Sequence, residues 1–166
     1  MMSTVYRSTV QDRDESARWR GPPAFLLAQV GAHAAAQFAQ RIAPLGITPP
    51  QAGILRVIAA DQGLSQRELS TLLGILPSRL VTLVDELEAL GLLERRSDPE
   101  DRRAHALHLS ATGHQLLERL AQAAKSHNQA VCAALNERER RVLAGLLARI
   151  ADEQGLVPGV HPGYRR

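Results

Sequence analysis

Apolar residues recur at helical spacing along most of this chain, and the places where the spacing breaks divide it into elements. Phe25, Val30, Ala34, Phe38 and Ile42 predict a helix from Ala24 to Ala43. It is apolar over much of its surface, which suits burial between partners better than a single core face. In GITPPQAGILRVIAAD, Thr48 is placed to cap a second helix, Pro49 to open it, and Ile54, Leu55 and Ile58 to form its buried stripe. GLSQRELSTLLG carries the spacing of a capping box, with Ser65 and Glu68 satisfying each other's backbone donors, Leu64 and Leu69 flanking it and Gly74 as the stop. After a turn of about three residues, Pro77 opens PSRLVTLVDELEALG, Leu80, Val84, Leu87 and Leu90 line one side, and Gly91 ends it. Two short amphipathic helices across a tight glycine-containing turn describe either a helix-turn-helix or an ordinary helical hairpin.

The next stretch changes period. In LLERRSDPEDRRAHALHLS, Leu92 and Leu93 lead into a strand, Asp98-Pro99 marks a turn, and Leu107 and Leu109 alternate with Ala106 and His108. A helix-turn-helix followed directly by a charged hairpin is a winged helix, and the combination is far more specific than either part. Ser110 then caps a long helix, ATGHQLLERLAQAAKSHNQAVCAAL. Asn136 and Glu139 form a further capping box before a last helix through Val142, Leu143, Leu146, Leu147 and Ile150. The chain is expected to fray at VPGVHPGYRR, and residues before Gly21-Pro22-Pro23 read as a loose arm with one turn around Trp19. The fold class is therefore mainly α with a small β-hairpin wing.

Composition narrows the class. The 166 residues suit one domain, and 45% hydrophobic against 3% aromatic requires a core of Leu, Ala, Val and Ile. No apolar run is long enough for a membrane span and the N-terminus lacks the apolar region of a secretory signal. The single Cys132 cannot form an internal disulfide, which fits a reducing cytoplasm. Net charge is only +3, but 19 of the 20 basic residues are arginine and only Lys125 is lysine. Arginine suits phosphate and base-edge contacts, although a GC-rich genome gives the same bias. No Gly-rich phosphate loop, zincin His pair or nucleophile-base arrangement is present, so neither an enzyme nor a cofactor is expected.

The order and spacing of LSQRELSTLLGILPSRLVTLVDELEALGLLERR and SDPEDRRAHALHLSATG resemble the MarR family of winged-helix transcription regulators, over roughly Ala24 to Gln154. The resemblance implies a homodimer on double-stranded operator DNA with repression as the default; the cytoplasmic location rests on the lone cysteine, and the histidine spacing gives no metal site. It divides the chain into an arm (1–23), a helical dimerisation region (24–47 and 110–154), a DNA-binding winged helix-turn-helix (48–109) and a tail (155–166). Dimeric readers engage half-sites about one helical turn, roughly 34–36 Å, apart, so a pseudo-palindromic operator is expected.

Residue roles follow on the same terms. Pro77 to Leu90 is the expected recognition helix, with Ser78, Arg79 and Thr82 off its apolar stripe and within reach of base edges, Arg79 either for a bidentate contact to guanine or for a plain phosphate pair; Thr82 stands where many relatives carry a basic residue. Ser65 and Gln66 sit at a helix N-terminus suited to phosphate, although Ser65 also reads as a plain cap. Arg95 and Arg96 point to opposite faces of their strand, so one faces DNA and the other pairs with an acidic neighbour. Asp101-Arg102-Arg103 matches the family's Asp-x-Arg motif. By resemblance Arg103 enters the minor groove, Arg102 adds to the DNA contact, and Asp101 with Asp98 braces the wing. From Ser65 to Arg103 six arginines face eight acidic residues, so binding depends on how those charges are segregated in space. A small phenolic or anionic effector is also implied, with His33, Arg41 and Arg56 as polar candidates. Two rival readings remain. A metal- or redox-responsive regulator of the same fold would draw on His33, His105, His108, His114, His127 or Cys132, but His105 and His108 alternate on a strand and Cys132 reads as an inert core thiol. The other is an interaction protein that binds no DNA.

Overall fold

Side-chain caps start four of the described helices. A computed structural model describes residues 21–97 and 105–160. Its elements are α1 (Pro23–Ile42), a 3-10 turn (Ala43–Leu45), α2 (Pro49–Ala60), α3 (Gln66–Leu73), α4 (Pro77–Ala89), β1 (Leu93–Ser97), β2 (His105–Leu109), α5 (Ala111–Val131) and α6 (Glu137–Glu153). Ser65 and Asn136 close the capping boxes expected of them, and Ser110 accepts from the Gly113 amide. Thr48 does more than its single letter promised: with Gln51 three residues on it forms a third box, which TPPQ already spelled. Gly74 stops α3 in the left-handed conformation (φ 62°) that only glycine adopts without strain.

The chain forms two compact units, residues 1–35 and 36–166, with the boundary inside α1. In the first, Phe25, Leu27 and Val30 are exposed. The second holds the core, drawn from the end of α1, α2, α3, α4, both strands and the first half of α5. Every fully buried large side chain in it is Ile, Leu or Val, as the aromatic-poor composition requires. β1 and β2 pair antiparallel with Leu93 opposite Leu109 and Arg95 opposite Leu107. A third edge was not apparent in the sequence: the Leu64 carbonyl accepts from Leu107, Gly63 donates back to the Leu107 carbonyl, and Ser65 bridges Ala106. The hairpin is thereby hydrogen-bonded to the N-terminus of α3.

Of the α1 stripe, Ile42 is buried and Phe38 packs partly against the core. Two expectations need correction. Cys132 sits at the C-cap of α5, half-buried and outside the core, since α5 ends at Val131. The start of the tail does not fray: the Gly159 carbonyl accepts from Arg56, and Val160 packs against the core. Arg56, an effector candidate, is therefore occupied by the tail. No described helix is long and apolar enough to cross a membrane.

Candidate nucleic-acid interface

The second helix of the helix-turn-helix, α4, buries Leu80, Val84 and Leu87 against the core. Its other sides carry three carboxylates, and each is engaged by a neighbouring element. Gln51, itself buried on α2, donates from Nε2 to Glu86 at 2.8 Å, while its Oε1 accepts from the Thr48 amide at 2.8 Å. Asp85 and Glu88 both hold the guanidinium of Arg95.

The position of Arg95 follows from strand parity. Leu93 and Arg95 share the inward side of β1, so the guanidinium meets α4 rather than solvent, with its side chain only 22% exposed. Of the two arginines, Arg95 is thus the brace. Arg96 lies on the outward side with Glu94, its Nη2 3.1 Å from that carboxylate and its side chain 57% exposed. An exposed pair of this kind contributes roughly 0–1 kcal/mol, so Arg96 can exchange Glu94 for a phosphate at little cost.

With its acidic groups held at the flanks, α4 presents Ser78, Val81 and Thr82 outward, and Arg79 half-buried beside them. The Thr82 hydroxyl donates back to the Ser78 carbonyl at 3.3 Å. At the start of α3, the Ser65 hydroxyl donates to Glu68 at 2.8 Å and accepts from the Glu68 amide at 3.3 Å, so the cap uses both of its functions. Gln66 is half-buried, and its Nε2 is shielded from solvent without a hydrogen-bond partner among the described residues. Asp98, Asp101, Arg102 and Arg103 lie outside the described residues, as does Trp19.

The histidines fall into separate settings. His108 and His114 are linked through Gln62, with 3.4 Å contacts from His108 Nδ1 to Gln62 Oε1 and from Gln62 Nε2 to His114 Nε2. His114 Nδ1 lies 2.9 Å from the Ser110 carbonyl, which can only accept, so that nitrogen carries the proton. His33 and Arg41 are both exposed. On α5, His127 stacks obliquely on Phe38 with ring centroids 5.3 Å apart. Burial, and then the nearby Arg41 guanidinium, hold the His127 imidazole below its usual pKa. The unfolded chain therefore takes up a proton first as pH drops through about 6.5, and the folded state loses stability from that point downward. Urea denaturation of the protein and His127→Gln at pH 7.5 and 5.5 checks this: the substitution is expected to shrink the acid loss, and an unchanged difference between the two pH values would remove His127 from it.

A short helix held at the surface by its neighbours, with a hairpin pinned beside it, is the arrangement of a winged helix-turn-helix DNA-binding module. A sequence profile of the MarR family matches residues 45–104. The chain is 39% identical over 123 residues, 74% of each chain, to the putative transcriptional regulatory protein for the hcr operon of Thauera aromatica. It is 26% identical over 132 residues, 80% of this chain and 95% of the other, to the transcriptional repressor Rv2887 of Mycobacterium tuberculosis. Among solved structures, the repressor CouR bound to a 23-mer DNA duplex superposes with TM-score 0.71 at 33% identity, covering 78% of this chain and 92% of CouR. The Rv2887–DNA complex superposes with TM-score 0.68 at 27% identity, covering 78% and 98%. The chain belongs to the MarR family of DNA-binding transcription regulators.

Proposed function

We propose that this protein is a homodimeric repressor that places two copies of α4 in successive major grooves of a pseudo-palindromic operator. The observation that carries the reading is the fate of the recognition helix's carboxylates. All three are held by Gln51 or Arg95, so the carboxylates of α4 do not confront the phosphates, and its outward face is left to hydroxyls, methyls and Arg79. The same contacts fix α4 and β1 as one body, so wing and helix meet the duplex together. The division into a winged helix (48–109) and dimerising helices (24–47 and 110–154) belongs to this proposal. Two relatives that are named as repressors support the sign of regulation.

In this reading Ser78, Arg79 and Thr82 reach base edges, Arg96 meets a backbone phosphate, Gln66 does so once its shielded amide turns outward, and the wing's Arg102 and Arg103 enter or flank the minor groove. Arginine suits a narrow minor groove because the potential there is strongly negative. Recovery of bound genomic fragments followed by footprinting tests the whole: two protected half-sites about one helical turn apart are expected, and a single asymmetric half-site would count against a dimer. Arg103→Ala is expected to weaken operator binding and flatten its dependence on salt, because each lost phosphate contact removes about 0.9 from the slope of log K against log salt. Unchanged affinity and slope at physiological salt would take Arg103 out of the interface.

A further inference from the structure

The start of α4 breaks local rules in the same direction several times. Leu76 occupies its N-cap, the position where Ser, Thr, Asp or Asn is strongly preferred, and it makes no capping hydrogen bond. Its side chain is 72% exposed, the most exposed of the described large hydrophobic residues. One turn on, Val81 is β-branched in a helix and 41% exposed, so it adds poor helix propensity and only partial burial. Thr82 beside it has turned its hydroxyl onto the Ser78 carbonyl, which leaves its methyl as the outward group. An exposed surface of methyls where polar residues would serve the fold better points to a partner.

Resting on the reading that α4 enters the major groove, we propose that Leu76, Val81 and the Thr82 methyl, set around the start of α4 rather than along one side of it, form a discontinuous apolar lip that reads thymine through its 5-methyl group. Thymine is the one standard base that presents a methyl in the major groove, and aliphatic side chains recognise it by contact alone. Specificity at these positions comes from displaced water rather than from hydrogen bonds. Thymine–adenine pairs are therefore required in the part of each half-site that faces the N-terminus of α4. A protein partner docking on Leu76 and Val81 is the rival occupant, and the same experiment separates the two.

The test exchanges single thymines of the recovered operator for deoxyuridine, which deletes the methyl and leaves base pairing and every hydrogen-bonding edge intact. Affinity is measured by fluorescence anisotropy for the wild type, Leu76→Ala and Val81→Ala. At one or more thymines per half-site, deoxyuridine is expected to weaken wild-type binding about fourfold, the worth of one buried methyl. In Val81→Ala or Leu76→Ala, whichever contacts that base, the loss on exchange should disappear. Equal affinity for thymine and deoxyuridine at every position overturns the lip, as does an operator with no thymine in those segments. If Ser78→Ala, Arg79→Ala and Val81→Ala all bind the unmodified operator as tightly as the wild type, the placement of α4 in the groove fails instead. Circular dichroism of each variant confirms that it is folded.

Discussion

Gly113→Ala is expected to destabilise the winged helix by about 1–3 kcal/mol, the usual cost of forcing extra volume into a packed site. Glycine inside an exposed helix normally costs about 0.5–1 kcal/mol relative to alanine, so the naive expectation has the opposite sign. The difference lies in what a Cβ would meet. At Gly113 it would stand 2.2 Å from the Leu92 carbonyl oxygen and 3.2 Å from the Leu92 carbonyl carbon, both backbone atoms, and 3.4 Å from Leu109. That oxygen cannot withdraw freely, because it accepts from the Ser110 amide at 3.1 Å. The Ser110 hydroxyl in turn donates to the Gly91 carbonyl at 2.6 Å and accepts from the Gly113 amide at 2.9 Å. The end of α4, the start of β1 and the first turn of α5 are thus tied through three consecutive contacts, and Gly113 is what lets them close. A methyl there pushes the base of the hairpin away from α5, so operator affinity should fall along with the urea midpoint. Thr112→Ala, at the exposed neighbour in the same turn, supplies the comparison: it should change stability by no more than about 0.7 kcal/mol, the span of ordinary helix propensities. A Gly113→Ala protein as stable as the wild type would mean that the junction has slack the contacts do not suggest.

What the sequence made legible was mostly local. Ser65, Ser110 and Asn136 could be read as caps because a cap involves only the next three residues, and Pro77 and Gly91 marked the recognition helix for the same reason. Strand parity required Arg95 and Arg96 to differ. It could also have said which was the brace, since Leu93 is buried and Arg95 shares its side. The contacts that matter most for the interface were not local. Gln51 and Glu86 are 35 residues apart, and nothing in either segment advertises the other. The pairing of Leu64 and Ser65 with β2 is too short to carry an alternating pattern. Gly159 and Val160 lie in a segment without periodicity and still dock on Arg56 and the core. Leu76 and Val81 are illegible for a different reason: helical periodicity marks apolar letters as interior, so an apolar residue exposed at the surface does not stand out. Among the histidines the limit was geometric, since Gln62, in the loop after α2, joins His108 of β2 to His114 of α5, segments that only the fold brings together.

Leu146→Glu is expected to convert the protein to a monomer and to lower operator affinity by about 10²–10⁴-fold, the advantage that two linked half-site contacts hold over one. The case rests on α6, which contributes no buried residue although its sequence is amphipathic. Val142, Leu143, Leu146, Leu147 and Ile150 fall at spacings of one, three and four, so they share one side of the helix, and all five are exposed. A 17-residue helix gains little stability by itself in water and relies on packing of its apolar side. In the homodimer proposed for this protein a second copy covers this side, and the two-fold axis brings the same patches of both copies together. A carboxylate at Leu146 would be placed near its own symmetry mate and stripped of water, a cost that association cannot recover. The winged helix draws its core from other elements, so its cooperative urea transition should survive while sedimentation reports half the mass and operator binding fails. Lys at the same position gives a second check, because a mixture of Leu146→Glu and Leu146→Lys chains should pair with each other and regain both dimer mass and DNA affinity. A Leu146→Glu protein that remains dimeric at micromolar concentration would show that the exposed side of α6 is not where the two copies meet.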